Sequence, residues 1–199
     1  MKLLVASDIH NDIEIIYKII SLYEKENPDY VILLGDISDM GELKKGLIGR
    51  LTSKINPNKI IIIPGNHETL EMIYELKKKY GIRELHKKYF TIGEIVIAGF
   101  GGGDVPIFFI DEWEIKDFLD KLKYISKDKK IILFTHIPPL GAKTSLSISG
   151  SKELYKFIKY SDNVILNVHG HIHEAGGLED RINKAKIINA ARNVIIVEI

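Results

Sequence analysis

The chain has no cysteine. That excludes disulfides, thiolate metal sites and cysteine nucleophiles. It has no apolar run near the roughly 18 residues that a spanning helix needs. Its start, MKLLVASD, offers only four apolar residues between Lys2 and Ser7, too few for a signal-peptide core, so a cytoplasmic location is expected. It also lacks an excess of either charge. Lys and Arg number 28 and Asp and Glu 27, a net charge of +1, which leaves no electrostatic footprint for nucleic acid or an anionic membrane. No repeat, low-complexity tract or linker interrupts the sequence, so residues 1–199 read as a single domain.

Glutamine is absent too, while isoleucine numbers 36 and lysine 24. That bias suits a chain from a hot environment or from an AT-rich genome, and it says nothing about chemistry. Apolar residues make up 45% and charged residues 28%, ordinary proportions for a globular protein.

One pattern recurs. Short runs of Val, Ile and Leu pass at once into polar residues: KLLVA into SDIH, YVILL into GDISD, KIIII into PGNHE, KIILF into THIPP, NVILNV into HGHIH. Such runs predict strands buried on both faces. Helical spacing appears at 12–26, 68–80, 111–126 and 151–160. Alternating strand and helix implies a largely parallel sheet covered by helices. Two segments predict hairpins: 89–99 about Gly93-Glu94, and the tail about Ala191-Arg192. The expected fold class is α/β, a β-sandwich of mixed sheets flanked by helices.

Ligands in such folds gather at the carboxyl ends of strands. The five polar clusters would therefore share one sheet edge, bringing together Asp8, His10, Asp36, Asp39, Asn66, His67, His136, His169, His171 and His173. The last three alternate, so on an extended segment they would share a face. Asp, His and Asn without Cys suit divalent ions of intermediate hardness, such as Mn, Fe, Co, Ni or Zn. Seven ligands are too many for one catalytic ion that keeps an open position. Two ions sharing a carboxylate would use them all, and such a pair suits displacement at phosphorus.

Asp8-x-His10, Gly35-Asp36-x-x-Asp39, Gly65-Asn66-His67-Glu68, His136 and Gly170-His171-x-His173 resemble, in order, the five signature motifs of the calcineurin-like metallophosphoesterases. The nearest subgroup is the small single-domain phosphoesterases related to bacterial cyclic-nucleotide phosphodiesterases. The resemblance implies that Asp8, His10 and His173 hold one ion and that Asn66, His136 and His171 hold a second. Asp36 would bridge them, with Mn the first expectation for the metal. His67 would act as an acid near the leaving group. The implied reaction is hydrolysis of a phosphodiester or phosphoanhydride by a metal-bridging hydroxide.

Other residues stay open. Asp39 could begin a helix or support the site. Glu68 could cap the following helix. His169 has no ligand slot left and could orient a ligand, contact phosphate or be a satisfied core histidine. His86, in the basic segment RELHKKY, reads as surface. The sequence departs from the family at Asn11, where glycine is frequent, and at Asn189-Ala190-Ala191, where Asn-Pro-Gly is frequent. Asn tolerates left-handed backbone, so the first turn can survive; the second change puts the loop shape in doubt. Gly99 to Trp113 is the expected substrate wall, with Phe108 and Phe109 as contacts, although core packing or an interface with a second copy of the chain would use the same patch. A small phosphate ester is the expected partner. The alternatives are a nuclease of the same family, disfavoured by the neutral charge, and a catalytically silent scaffold, which would lack ligands present here.

Overall fold

Strands made of consecutive Ile, Leu and Val need apolar cover on both faces. The computed structural model describes residues 1–105 and 107–199. Along the chain lie β1 (Lys2–Ala6), α1 (Ile13–Glu26), β2 (Tyr30–Leu33), α2 (Leu47–Thr52), β3 (Ile60–Ile62), α3 (Leu70–Tyr80), β4 (Arg83–Glu84), β5 (Lys88–Ile92) and β6 (Ile95–Phe100). There follow α4 (Glu112–Ile125), β7 (Lys130–Thr135), α5 (Lys152–Lys159), β8 (Val164–His169), β9 (Glu179–Ile182), β10 (Ala185–Asn189) and β11 (Val194–Glu198). The expected strands and the four expected helices are all present. The short elements α2, β4 and β9 left no readable period in the sequence.

Two mixed sheets stack face to face, ordered β11-β1-β2-β3-β4 and β5-β6-β7-β8-β10-β9. Each strand divides its side chains between two cores. In β1, Leu4 and Ala6 pack under α1, α2 and α3, while Leu3 and Val5 meet the opposite sheet. In β7, Ile131 and Leu133 pack under α4 and α5, while Ile132 and Phe134 face inward. This is the expected α/β sandwich with helices outside. Among the described residues no helix is long and apolar enough to cross a membrane.

The hairpin about Gly93-Glu94 forms, with β5 antiparallel to β6 and Ile92 opposite Ile95. The tail hairpin does not. β10 pairs with β8 and β9 in the second sheet, while β11 crosses over to pair antiparallel with β1 in the first. The turn at Ala191-Arg192 is a sheet-to-sheet crossing. It is held by the Ala191 amide donating to Asn189 Oδ1 and by the Arg192 guanidinium donating to the carbonyls of Asp8 and Ile9. By covering β1, β11 satisfies backbone groups that would otherwise form an open edge.

The strands bearing the five motifs are likewise divided, which corrects the single shared edge. β1, β2 and β3 lie in the first sheet, β7 and β8 in the second. Their carboxyl ends open onto the same end of the sandwich, and the polar clusters meet across the gap between sheets.

Candidate metal centre

The loop after β1 is paired to the loop after β2: the Asp8 amide donates to the Gly35 carbonyl at 3.0 Å and the His10 amide to the Asp36 carbonyl at 2.8 Å. Asp8, His10, Asn11, Asp36 and His171 all have positive φ, a conformation costly for L-residues. Such strain gathers where side chains must be aimed rather than merely packed. Asn11 keeps the turn at φ 59; its side chain donates to the Glu42 carbonyl and accepts from the Lys44 amide. Gly170 must be glycine, because a Cβ there would lie 2.0 Å from Ser7 Oγ and 2.3 Å from Asp8 Oδ2.

Three groups of donor atoms result, each within 4.8 Å: Asp8 with His10 and His173; Asp36 with His136 and His171; and His10 with Asp36 and His67. Asp36 belongs to the last two, and its neighbour His10 belongs also to the first. Its Oδ1 accepts the His67 amide at 2.9 Å, leaving Oδ2 3.7 Å from His10 Nε2 and 3.4 Å from His136 Nε2. Asn66 Oδ1 lies 3.0 Å from His136 Nε2 and 2.9 Å from His171 Nδ1.

Tautomers follow from the partners. His136 Nδ1 is 2.7 Å from the Leu34 carbonyl, which can only accept, so Nδ1 carries hydrogen and Nε2 faces Asp36 and Asn66. In the neutral ring, Nε2 and Asn66 Oδ1 oppose lone pair to lone pair, an arrangement that a proton or a cation between them would relieve. His10 Nε2 lies 3.3 Å from His173 Nε2, which is itself 3.1 Å from Asp8 Oδ1. Nitrogen and carboxylate donors crowded so closely fit divalent cations of intermediate hardness.

Electrostatics agrees. Burial works to raise the Asp36 carboxyl, yet the His136 charge and the His67 amide hold it well below the usual range. Asp8 is fully buried and is also lowered, by the His173 hydrogen bond and the charge of His136. Burial works to lower His136, but Asp36 outweighs it and pushes the ring up to about 10. The site thus stores negative charge that a proton or a metal must balance.

Several neighbours differ from expectation. Glu68 does not cap the next helix, whose N-cap is Thr69. Its buried carboxylate accepts from the amides of Asp36, Ser38 and Gly65 and from the Ser38 hydroxyl, tying the β2 and β3 loops together. Asp39 starts no helix; it closes a small bridge with Glu42 and sets Oδ1 3.3 Å from His67 Nδ1. His169 turns into the core, because the chain stops being extended at Gly170. Nδ1 donates to the Gly170 carbonyl and Nε2 accepts from Thr144, so neither nitrogen is left for phosphate. His171 and His173 turn the other way, one to each half of the centre.

His86 is buried rather than on the surface, and its Nδ1 accepts from the Gly101 amide at 3.0 Å. Burial, reinforced by Lys87, lowers it to about 4; burial lowers His169 to about 4 as well. These rings are neutral in the fold and charge readily once unfolded. Their contribution is therefore full above pH 6.5 and is lost as pH falls from 6.5 toward 4. Stability measured by urea unfolding should drop steeply across that window. In His86→Gln, which keeps an acceptor but cannot titrate, the drop should shrink by about 2 kcal/mol. An unchanged profile would refute this assignment.

The family model described as calcineurin-like phosphoesterase matches residues 1–175. The chain belongs to that family. A curated relative, "Probable glycerophosphodiester phosphodiesterase GpdQ" from Arcobacter nitrofigilis, is 27% identical over 161 residues, covering 75% of this chain. The chain spans only 58% of that relative's length. Among solved structures, TT1561 of Thermus thermophilus aligns with a TM-score of 0.75 and 18% identity, covering 99% of this chain and 98% of the other. A protein described as a novel archaeal phosphodiesterase aligns at 0.54 and 15% identity, covering 100% and 93%. At these identities the structures establish a shared fold. The family motifs themselves rest on the residues already placed, from Asp8 to His173. Absent from the motifs were Arg192, which clamps the Asp8 loop, and Asp104, whose carboxylate touches His171. No signal in the sequence marked either.

Proposed function

We propose that this calcineurin-like phosphoesterase is a two-metal hydrolase of phosphodiesters or phosphoanhydrides. The observation that carries the reading is the single oxygen Asp36 Oδ2, set 3.7 Å from His10 Nε2 and 3.4 Å from His136 Nε2, with a group of three donor residues on either side. Asp8, His10 and His173 would hold one ion, Asn66, His136 and His171 the other, with Asp36 common to both and Mn the first candidate. When bound, such a pair supplies a water acidic enough to attack phosphorus near neutral pH and screens charge on the phosphoryl oxygens.

The chain's own residues do the rest. Buried Glu68 fixes the two loops that carry Asp36 and Asn66, so the ligands are aimed before metal arrives. His67 stands beside Asp36, with Nε2 3.9 Å from Oδ2, placed to serve the leaving oxygen. Its Nδ1 has two competing neighbours. The Met40 amide donates to it at 2.9 Å, which suits a neutral ring that only hydrogen-bonds through Nε2. The Asp39 carboxylate at 3.3 Å suits a cationic ring able to give a proton away. In the acid role Nδ1 carries a hydrogen that it donates to the Asp39 carboxylate, and the Met40 contact is given up.

Within the expected substrate wall, Phe109 is the contact we propose. Phe108 is half-buried with its ring 5.3 Å from that of His86, whereas Phe109 and Trp113 are 54% and 68% exposed. Pro106, in the same segment, lies outside the described residues. For a substrate with an aromatic group, Phe109→Ala should raise KM about fivefold at constant kcat, the worth of one stacking contact. Unchanged kinetics rejects Phe109 as a contact. The diesterase names of the relatives guide the activity screen: glycerophosphodiesters, cyclic nucleotides, nucleotide anhydrides and aryl phosphodiesters, with added Mn or Ni. No turnover of any of these by protein holding two ions would defeat the enzyme reading.

A further inference from the structure

Asp104 belongs to none of the five motifs, yet the loop that carries it is built against the centre. Gly103 comes so near that a Cβ would lie 3.0 Å from Asn66 Cβ and 3.2 Å from His171 Cε1. The loop is pinned by Asn66 itself, whose backbone carbonyl accepts from the Phe108 amide at 3.1 Å, and by paired hydrogen bonds of Gly103 with Phe108 and Ile110. This path brings Asp104 Oδ1 to 3.0 Å from His171 Nε2. Its Oδ2 accepts from the Ser149 hydroxyl at 2.6 Å, so a second loop holds the carboxylate in place.

A carboxylate only accepts, so the hydrogen on His171 belongs on Nε2. That leaves Nδ1 as the lone-pair atom, and Nδ1 is the nitrogen that lies 2.9 Å from Asn66 Oδ1. We propose that Asp104 is the positioning residue of the second half of the centre, fixing His171 in the tautomer and orientation that present Nδ1 to a divalent cation, with Ser149 steadying it. The inference rests on the two-metal reading. Carboxylates that accept from the far nitrogen of a ligating histidine make the ring a better ligand, and their loss costs about 10–100-fold in metal affinity.

The experiment compares wild type, Asp104→Ala, Asp104→Asn and Ser149→Ala by two readouts. One is the His171 tautomer in metal-free protein at about pH 8, from long-range ¹H–¹⁵N correlation spectra. The other is Mn(II) affinity at each site by calorimetry. Asp104→Ala should give a mixture of His171 tautomers and weaken one site about 10–100-fold while sparing the other. Asp104→Asn keeps an accepting oxygen and should restore most of the tautomer bias and affinity. Ser149→Ala should shift both readouts less, in the same direction. The proposal is overturned if Asp104→Ala keeps the Nε2–H tautomer and full affinity. It is also overturned if both sites weaken equally with a lowered Tm, which marks a merely structural role. If wild type binds fewer than two ions, the two-metal reading fails on its own, and the tautomer readout still decides for or against Asp104.

Discussion

Asp36→Asn should weaken both halves of the metal centre at once. Asp36 Oδ1 is committed to the His67 amide, so an asparagine side chain would keep its oxygen there and turn its NH2 toward His10 and His136. An amide nitrogen is no ligand, and the shared negative charge disappears with it. Elemental analysis after saturation with Mn should show both sites depleted, and turnover should fall by at least about 10²-fold, more than for loss of a supporting contact. His10→Ala should deplete mainly one site. No more than one tightly bound ion in the wild type, under saturating Mn, would sink the two-metal reading. Full occupancy of both sites in Asp36→Asn would show instead that the carboxylate is not shared.

His67→Ala should leave the metals and the fold intact, because the hydrogen bond that His67 gives Asp36 comes from its backbone amide, which alanine keeps. Its effect should depend on the leaving group. An alkoxide departs poorly unless protonated, so alkyl esters should slow by about 10²–10⁴-fold. Esters of acidic phenols, which leave without a proton, should hardly change. Equal slowing of both classes at full metal content would mean that His67 stays neutral on the Met40 amide and only positions or stabilises the phosphate. The two neighbours of Nδ1, Met40 and Asp39, make that outcome a real competitor, and the leaving-group series separates them.

Strand identity, strand ends and donor chemistry were legible in the sequence. They are local properties: a run such as KIILF needs burial on both faces wherever it lies, and the polar residues that follow must emerge at its end. The candidate residues from Asp8 to His173 could therefore be named before any coordinates. What was not legible depended on where the chain goes next. Nothing in NVIIVEI says that it covers β1 rather than β10, because both pairings satisfy the same period of two. RELHKKY reads as surface, yet the Gly101 amide and the Phe108 ring enclose His86. The three alternating histidines share a face only on an extended strand. The strand ends at His169, which stays in the core, and a left-handed turn at His171 sets the other two toward the candidate metal centre. Glu68 and Asp104 make their decisive contacts across 30 and 67 residues, where spacing carries no information. The sequence by itself determined which side chains could hold metal. Only the packing of two sheets face to face decided which of them meet, because that depends on loop paths and sheet assignment, which no local period encodes.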